Sequence, residues 1–207
     1  MTPFVVPAFK GQDLEVELVD RFAFDLCRLS RHPGGEWEPP EPKYRNLRVD
    51  PPAGQKDAFA ILYTAPQLLT ISVECGVLAI DLQNKWTLNL DREADNKLTR
   101  YTFSNAGCFI KLDGDNRRRL GIADYQSFGG YDAYQQVSLE LFKRYGQTVH
   151  GLSWESFHRH QLGRVYAIWH HRKADLGLTY CAPVPLADDP QWKSLLARIP
   201  DPIAIRS

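Results

Sequence analysis

The sequence predicts an α+β fold, with strands and helices partly segregated, from three observations. Short apolar or alternating runs recur at residues 59–65, 86–91, 108–113, 150–154 and 164–169. Apolar side chains at spacings of three and four run through residues 131–145, and no Gly-rich strand-to-helix turn of the dinucleotide or P-loop type occurs. With 207 residues, 43% hydrophobic and 24% charged, the chain can bury a sizeable core near the upper size of one compact domain. One domain over residues 1–207 is therefore expected.

Taken in order, residues 13–29 mix apolar and acidic side chains at roughly helical spacing, which predicts an opening helix. His32, Pro33, Gly34, Gly35 and residues 36–42 form a breaker-rich loop, and Pro39-Pro40 and Pro51-Pro52 hold the backbone extended or turned. Loops of that length inside a compact domain tend to be functional. FAILYTA, residues 59–65, is a buried strand bounded by Asp57 and Pro66. A helix follows, with Leu68, Leu69, Val73 and Val77 near one face and Glu74 inside the apolar run. WTLNLD at 86–91 and CFIKLD at 108–113 alternate as half-buried strands, and Gly114-Asp115-Asn116 reads as a hairpin turn. The helix at 131–145 precedes two strands, HGLSW and RVYAIW, and Asp189-Pro190 opens a last helix with a capping residue and proline at its first position.

Charges balance at 25 basic and 25 acidic residues, so no bulk attraction draws the molecule to nucleic acid or an anionic membrane. Anion binding must be local, and no direct nucleic-acid binding is expected. Arg117-Arg118-Arg119, beside a turn, reads as a solvated face. Cys27, Cys75, Cys108 and Cys181 are too widely spaced for a zinc site or a disulfide-dense module and are expected to be reduced. Residues 1–9 are apolar but lack the basic start and long apolar run of a signal peptide, and no run approaches the ~18 apolar residues of a membrane span. The cytoplasm is the expected location.

Three chemical signals fall away on spacing. His158, His160, His170 and His171 lack a third ligand at metal-site spacing, so hydrogen-bonding histidines and no metal are expected. Asp113-Gly114-Asp115 begins like a calcium loop, but Arg117 stands where a ligand belongs and no glutamate closes it. Ser156 lies in no G-x-S-x-G setting, and no acid partner for His158 or His160 can be identified by spacing.

What remains is an ordered set: Arg28 in CRLS, Arg48 in NLRVDPP, Tyr63 in ILYTA, Glu74 in VEC and Ser156 closing HGLSWES. Singly, these are ordinary surface charges, a core aromatic and a turn hydroxyl. As an ordered set, spread over roughly residues 28–169, they resemble the RES domain, the NAD-degrading toxin of RES/Xre-type toxin–antitoxin systems. Leu47 replaces the glycine usual before the second arginine and Val49 the aromatic after it, and Arg45 competes with Arg48 for that position.

The resemblance implies a fold like that of ADP-ribosyltransferases, a split mixed sheet with flanking helices. It also implies cleavage of NAD to release nicotinamide, with water or phosphate as acceptor. NAD is then a substrate, and no cofactor is expected. Cleavage develops positive charge on the ribose, which a carboxylate can stabilise, and Glu74 is assigned that role. Guanidinium forks bind phosphate oxygens in pairs, which suits Arg28 and Arg48 to the pyrophosphate. Tyr63 can offer a ring face to nicotinamide and a hydroxyl to the ribose, and Ser156 one orienting hydrogen bond. Glu74, Arg48 and Ser156 form the expected catalytic set, with Arg28, Arg48, Tyr63 and Ser156 binding NAD. Alternatives are an ADP-ribosyltransferase that modifies a protein or nucleic acid, and a catalytically silent interaction module. The resemblance also implies a helix-turn-helix antitoxin as partner.

Overall fold

Two sheets meet along one short seam, and that seam creates the cleft described below. The computed structural model describes residues 14–122, 130–156 and 163–206. The first sheet runs β1 (Val16–Val19), β7 (Gly107–Lys111), β8 (Gly151–Glu155), β9 (Arg164–Trp169), β3 (Ile61–Thr64). Only β7 and β8 are parallel, so the sheet is mixed. In the second sheet, β6 (Lys97–Phe103) pairs antiparallel with β2 (Leu26–Ser30), β10 (Leu178–Tyr180) and β11 (Val184–Pro185). A third sheet sets β5 (Trp86–Asn89) between β4 (Leu78–Ile80) and β12 (Ile203–Ile205).

The backbones of the first two sheets join at an isolated bridge, where Cys27 on β2 exchanges hydrogen bonds with Ala65 beyond β3 at 2.7 and 3.0 Å, and Leu26, Tyr101 and Phe103 of the second sheet share a buried cluster with Leu62, Phe109 and Tyr166 of the first. The helices are α1 (Leu68–Glu74), α2 (Leu90–Asp95), α3 (Asn116–Arg119), α4 (Asp132–Tyr145) and α5 (Pro190–Leu196). With its several sheets and these helices, the chain has a mixed α+β fold.

Periodicity explains where the helices pack. Tyr134, Val137 and Leu141 on α4 share one buried cluster with Ile110, Leu152, Trp154 and Ala167 of the first sheet. Ile71 and Val73 of α1 share a second with Leu29, Leu98 and Trp192. Full burial of each such aliphatic side chain is worth about 1.5–3 kcal/mol relative to exposure. Asp189 caps α5 by accepting from the Trp192 amide at 3.0 Å, with Pro190 at the first helical position.

Three expectations are corrected. Where residues 13–29 were expected to be helical, the described residues form β1 and β2, with Phe22 at φ 57 in the turn between them. The reason is an inverted pattern: Leu18 is 76% exposed, while Glu17 turns inward and accepts from Ser153 Oγ at 2.7 Å and Tyr166 Oη at 2.8 Å. Gly114-Asp115-Asn116 leads into α3 and not a hairpin, because β7 next pairs in parallel with β8. Val77 lies beyond α1, buried in its own right.

Candidate active site

Arg28 follows the seam residue Cys27 and sends its guanidinium across the gap between β2 and β3. Its Nε donates to the Gly35 carbonyl at 2.8 Å and its Nη1 to the Tyr63 carbonyl at 3.2 Å. The residue is 7% exposed, and these two bonds compensate the burial of its charge. It faces a cleft of about 440 Å³ lined by Arg28, Tyr63 and Glu74, with Arg31, Arg45 and Arg92 around them. That volume is in the range of small-molecule sites, ~300–1,000 Å³.

Tyr63 sits on β3 and locks the adjoining loop. Its hydroxyl donates to Asp50 Oδ1 at 3.2 Å and accepts from the Val49 amide at 3.3 Å, while Asp50 Oδ2 accepts from the Leu47 amide at 2.8 Å. Burial, with the Asp50 carboxylate beside it, holds the Tyr63 phenol well above its ordinary range, so it stays protonated. Burial also raises the Asp50 pKa, against the opposing pull of the Leu47 amide and the Tyr63 hydroxyl. That hydroxyl is engaged by Asp50, which lines the cleft together with Tyr63.

Glu74 is the last residue of α1, and Ser156 comes directly after β8. Ser156 Oγ donates to Glu74 Oε1 at 2.7 Å, and the 3% exposed serine is anchored by its own amide, which donates to the Gly163 carbonyl at 2.8 Å. Ser156 is not among the residues lining the cleft. Its hydrogen bond orients the carboxylate.

Arg48 is placed differently from expectation. Its guanidinium lies 5.1 Å from the ring centroids of both Tyr131 and Tyr134, at the start of α4, and it is not among the cleft-lining residues. The turn explains this: Leu47 takes the cleft side, Val49 is fully buried, and Arg48 between them points to α4. Arg45 lines the cleft instead and braces its loop, donating to the Pro40, Lys56 and Phe59 carbonyls at 2.9–3.1 Å.

Arg31 and Arg92 carried no sequence signal, yet both line the cleft. Arg28, Arg31, Arg45 and Arg92 thus face Glu74 and Asp50, a local cationic excess in a chain whose charges otherwise balance. Cys75 lies among Arg28, Arg31 and Arg92, but burial pushes its thiol up to about 11, so it is not a nucleophile at neutral pH. The breaker-rich loop is firmly held: Tyr101 Oη donates to the Glu36 carbonyl, and Lys173 Nζ donates to the Trp37 carbonyl at 2.7 Å. Lys173 Nζ also sits 3.7 Å from the centroid of the Trp37 ring, and burial lowers its pKa to about 8.

His170 and His171 hydrogen-bond to the Trp37 and Gly146 carbonyls at 2.9 and 2.8 Å. His158 and His160 lie outside the described residues. Among the described residues, no group of three or more His, Cys, Asp or Glu is placed to hold a metal ion, and no helix is long and apolar enough to cross a membrane.

No protein-family model matches the chain. No curated protein matches it either. Among solved structures, it is similar to the M. tuberculosis MbcT–MbcA toxin–antitoxin complex at 14% identity, covering 84% of this chain and 89% of that chain, with a TM-score of 0.49. At that level of likeness, function has to be argued from the cleft itself.

Proposed function

We propose that the cleft binds NAD and breaks its nicotinamide–ribose bond, handing ADP-ribose to water or phosphate, as the RES resemblance implies. The observation that carries this reading is the convergence of Arg28, Tyr63 and Glu74 on one cleft, with Ser156 Oγ 2.7 Å from the Glu74 carboxylate. As the C–N bond breaks, its electron pair leaves with neutral nicotinamide, and the ribose takes on oxocarbenium character. A carboxylate already oriented by Ser156 stabilises that charge without reorganising. The cationic lining meets the pyrophosphate, with Arg28 and Arg45 in the roles first given to Arg28 and Arg48. On this reading the protein is a toxin that depletes NAD in the cytoplasm and is restrained by a helix-turn-helix antitoxin.

Mass spectrometry of NAD incubated with the purified protein, with and without phosphate, tests the reading. Free ADP-ribose or its phosphate supports it, a modified macromolecule supports transfer, and intact NAD removes the enzymatic reading. A second expectation separates the two arginines: Arg45→Lys weakens NAD binding by about tenfold, through loss of its remaining Nη2 donor and of the carbonyl contacts that brace its loop, and Arg48→Lys by less than about threefold. Calorimetric titration in a Glu74→Gln background reads both. A larger loss at Arg48 would mean that its side chain swings into the cleft when NAD binds.

A further inference from the structure

We propose that Arg92 is a positioning residue for the Glu74 carboxylate, acting through the C-terminal end of α1; the inference rests on the NAD-cleavage reading. Glu74 occupies the final helical position of a seven-residue helix with no basic residue in its last turn. The chain leaves that helix through a tight closure: the Gly76 amide donates to the Val73 carbonyl at 3.0 Å and the Val77 amide to the Ser72 carbonyl at 2.9 Å, with Gly76 at φ 66. Those bonds leave the Cys75 carbonyl to be met from outside. Arg92 Nη1, reaching over from α2, donates to it at 2.7 Å. The positive charge also sits at the negative end of the helix dipole.

The sequence makes room for this contact. A Cβ on residue 76 would lie 2.3 Å from Arg92 Nη1, so glycine serves both the left-handed turn and the passage of the guanidinium. Arg92 is itself fixed. Its amide donates to Asn89 Oδ1 at 3.0 Å, capping α2, and its carbonyl accepts from Asn96 Nδ2 at 2.6 Å. Glu74 is therefore set from two directions, its carboxylate by Ser156 beyond β8 and the backbone of the residue after it by Arg92 on α2. Misplacement of about 1 Å in such a group can cost ~100-fold in rate. Arg92 also lines the cleft, so a direct grip on substrate phosphate is the competing role, and the kinetics separate the two.

The test is steady-state nicotinamide release by wild type, Arg92→Met, Arg92→Lys and Gly76→Ala, with a crystal structure of Arg92→Met. Positioning predicts that Arg92→Met lowers kcat by about tenfold or more with KM within about threefold. Arg92→Lys, which keeps a cationic donor, recovers part of the loss, and Gly76→Ala lowers kcat in the same direction. In the crystal, the contact between Ser156 Oγ and Glu74 Oε1 should lengthen beyond hydrogen-bond reach. Unchanged kcat, or a raised KM with kcat retained, overturns the inference while leaving NAD cleavage intact. If wild type releases no nicotinamide, the NAD reading fails separately, and an undisturbed Ser156 to Glu74 contact in Arg92→Met still overturns the positioning role. Should Arg92→Met not fold, the same contact is read in Gly76→Ala.

Discussion

Replacing Glu74 with glutamine is expected to lower nicotinamide release by about 100-fold or more while leaving the fold and NAD affinity largely intact. The change is nearly isosteric, and Ser156 Oγ can still donate to the side-chain oxygen it meets at 2.7 Å. What disappears is the negative charge, which acts when the ribose becomes cationic. Removing one such electrostatic contact typically costs 10²–10³ in kcat, on the order of 2.7–4 kcal/mol. Because substrate ribose lacks that charge, ground-state affinity changes little. Initial rates and calorimetric titration of the same preparation check both halves. A variant keeping more than about a tenth of the wild-type rate would remove Glu74 from the chemistry.

Arg28→Lys is expected to act on both stability and binding. The arginine ties the loop after β2 and strand β3 together through the Gly35 and Tyr63 carbonyls, and a single ammonium cannot hold both in the same geometry. Hydrogen bonds to charged groups contribute about 1.5–3 kcal/mol, and this residue is buried, so denaturant unfolding should show a loss of about 1–3 kcal/mol. On the proposed reading, NAD affinity should fall by about tenfold or more, as the guanidinium proposed to meet the pyrophosphate is lost. Wild-type stability in the variant would mean that these two bonds do not hold the loop after β2 to strand β3.

How far the sequence could be read depended on where its information was local. Helix α4 was legible because its periodicity matches the face it buries, and strands β3, β8 and β9 because they are short apolar-rich runs buried along nearly their whole length. The region around β1 misled because its apolar Val16 and Leu18 face outward and its acidic Glu17 inward, paired with Arg164 at 2.8 Å. Strand β6 was missed, although it is the hub of the second sheet. Its run KLTRYTF carries a cation at each of two positions, and Arg100 is accommodated by distant partners, Asp189 at 2.8 Å and Gln191 at 3.0 Å.

The site divides in the same way. Arg28, Tyr63 and Glu74 could be picked out because their chain order resembles that of a family, and they line one cleft. The outward turn of Arg48 toward Tyr131 and Tyr134 depends on packing across more than eighty residues of chain, which no local pattern encodes. Arg92 was invisible for a related reason. In LDREAD it reads as an ordinary helix-surface charge, and only the approach of α2 to the end of α1 brings it to Cys75.

The most direct measurement is chromatographic detection of nicotinamide from NAD incubated with purified wild-type protein, phosphate present and no other macromolecule added. If the cleft works as proposed, nicotinamide accumulates in proportion to enzyme and time, and the Glu74→Gln protein run alongside yields at most about a hundredth as much. Absence of nicotinamide after hours at high enzyme concentration, from protein shown to be folded, would contradict the proposed NAD cleavage.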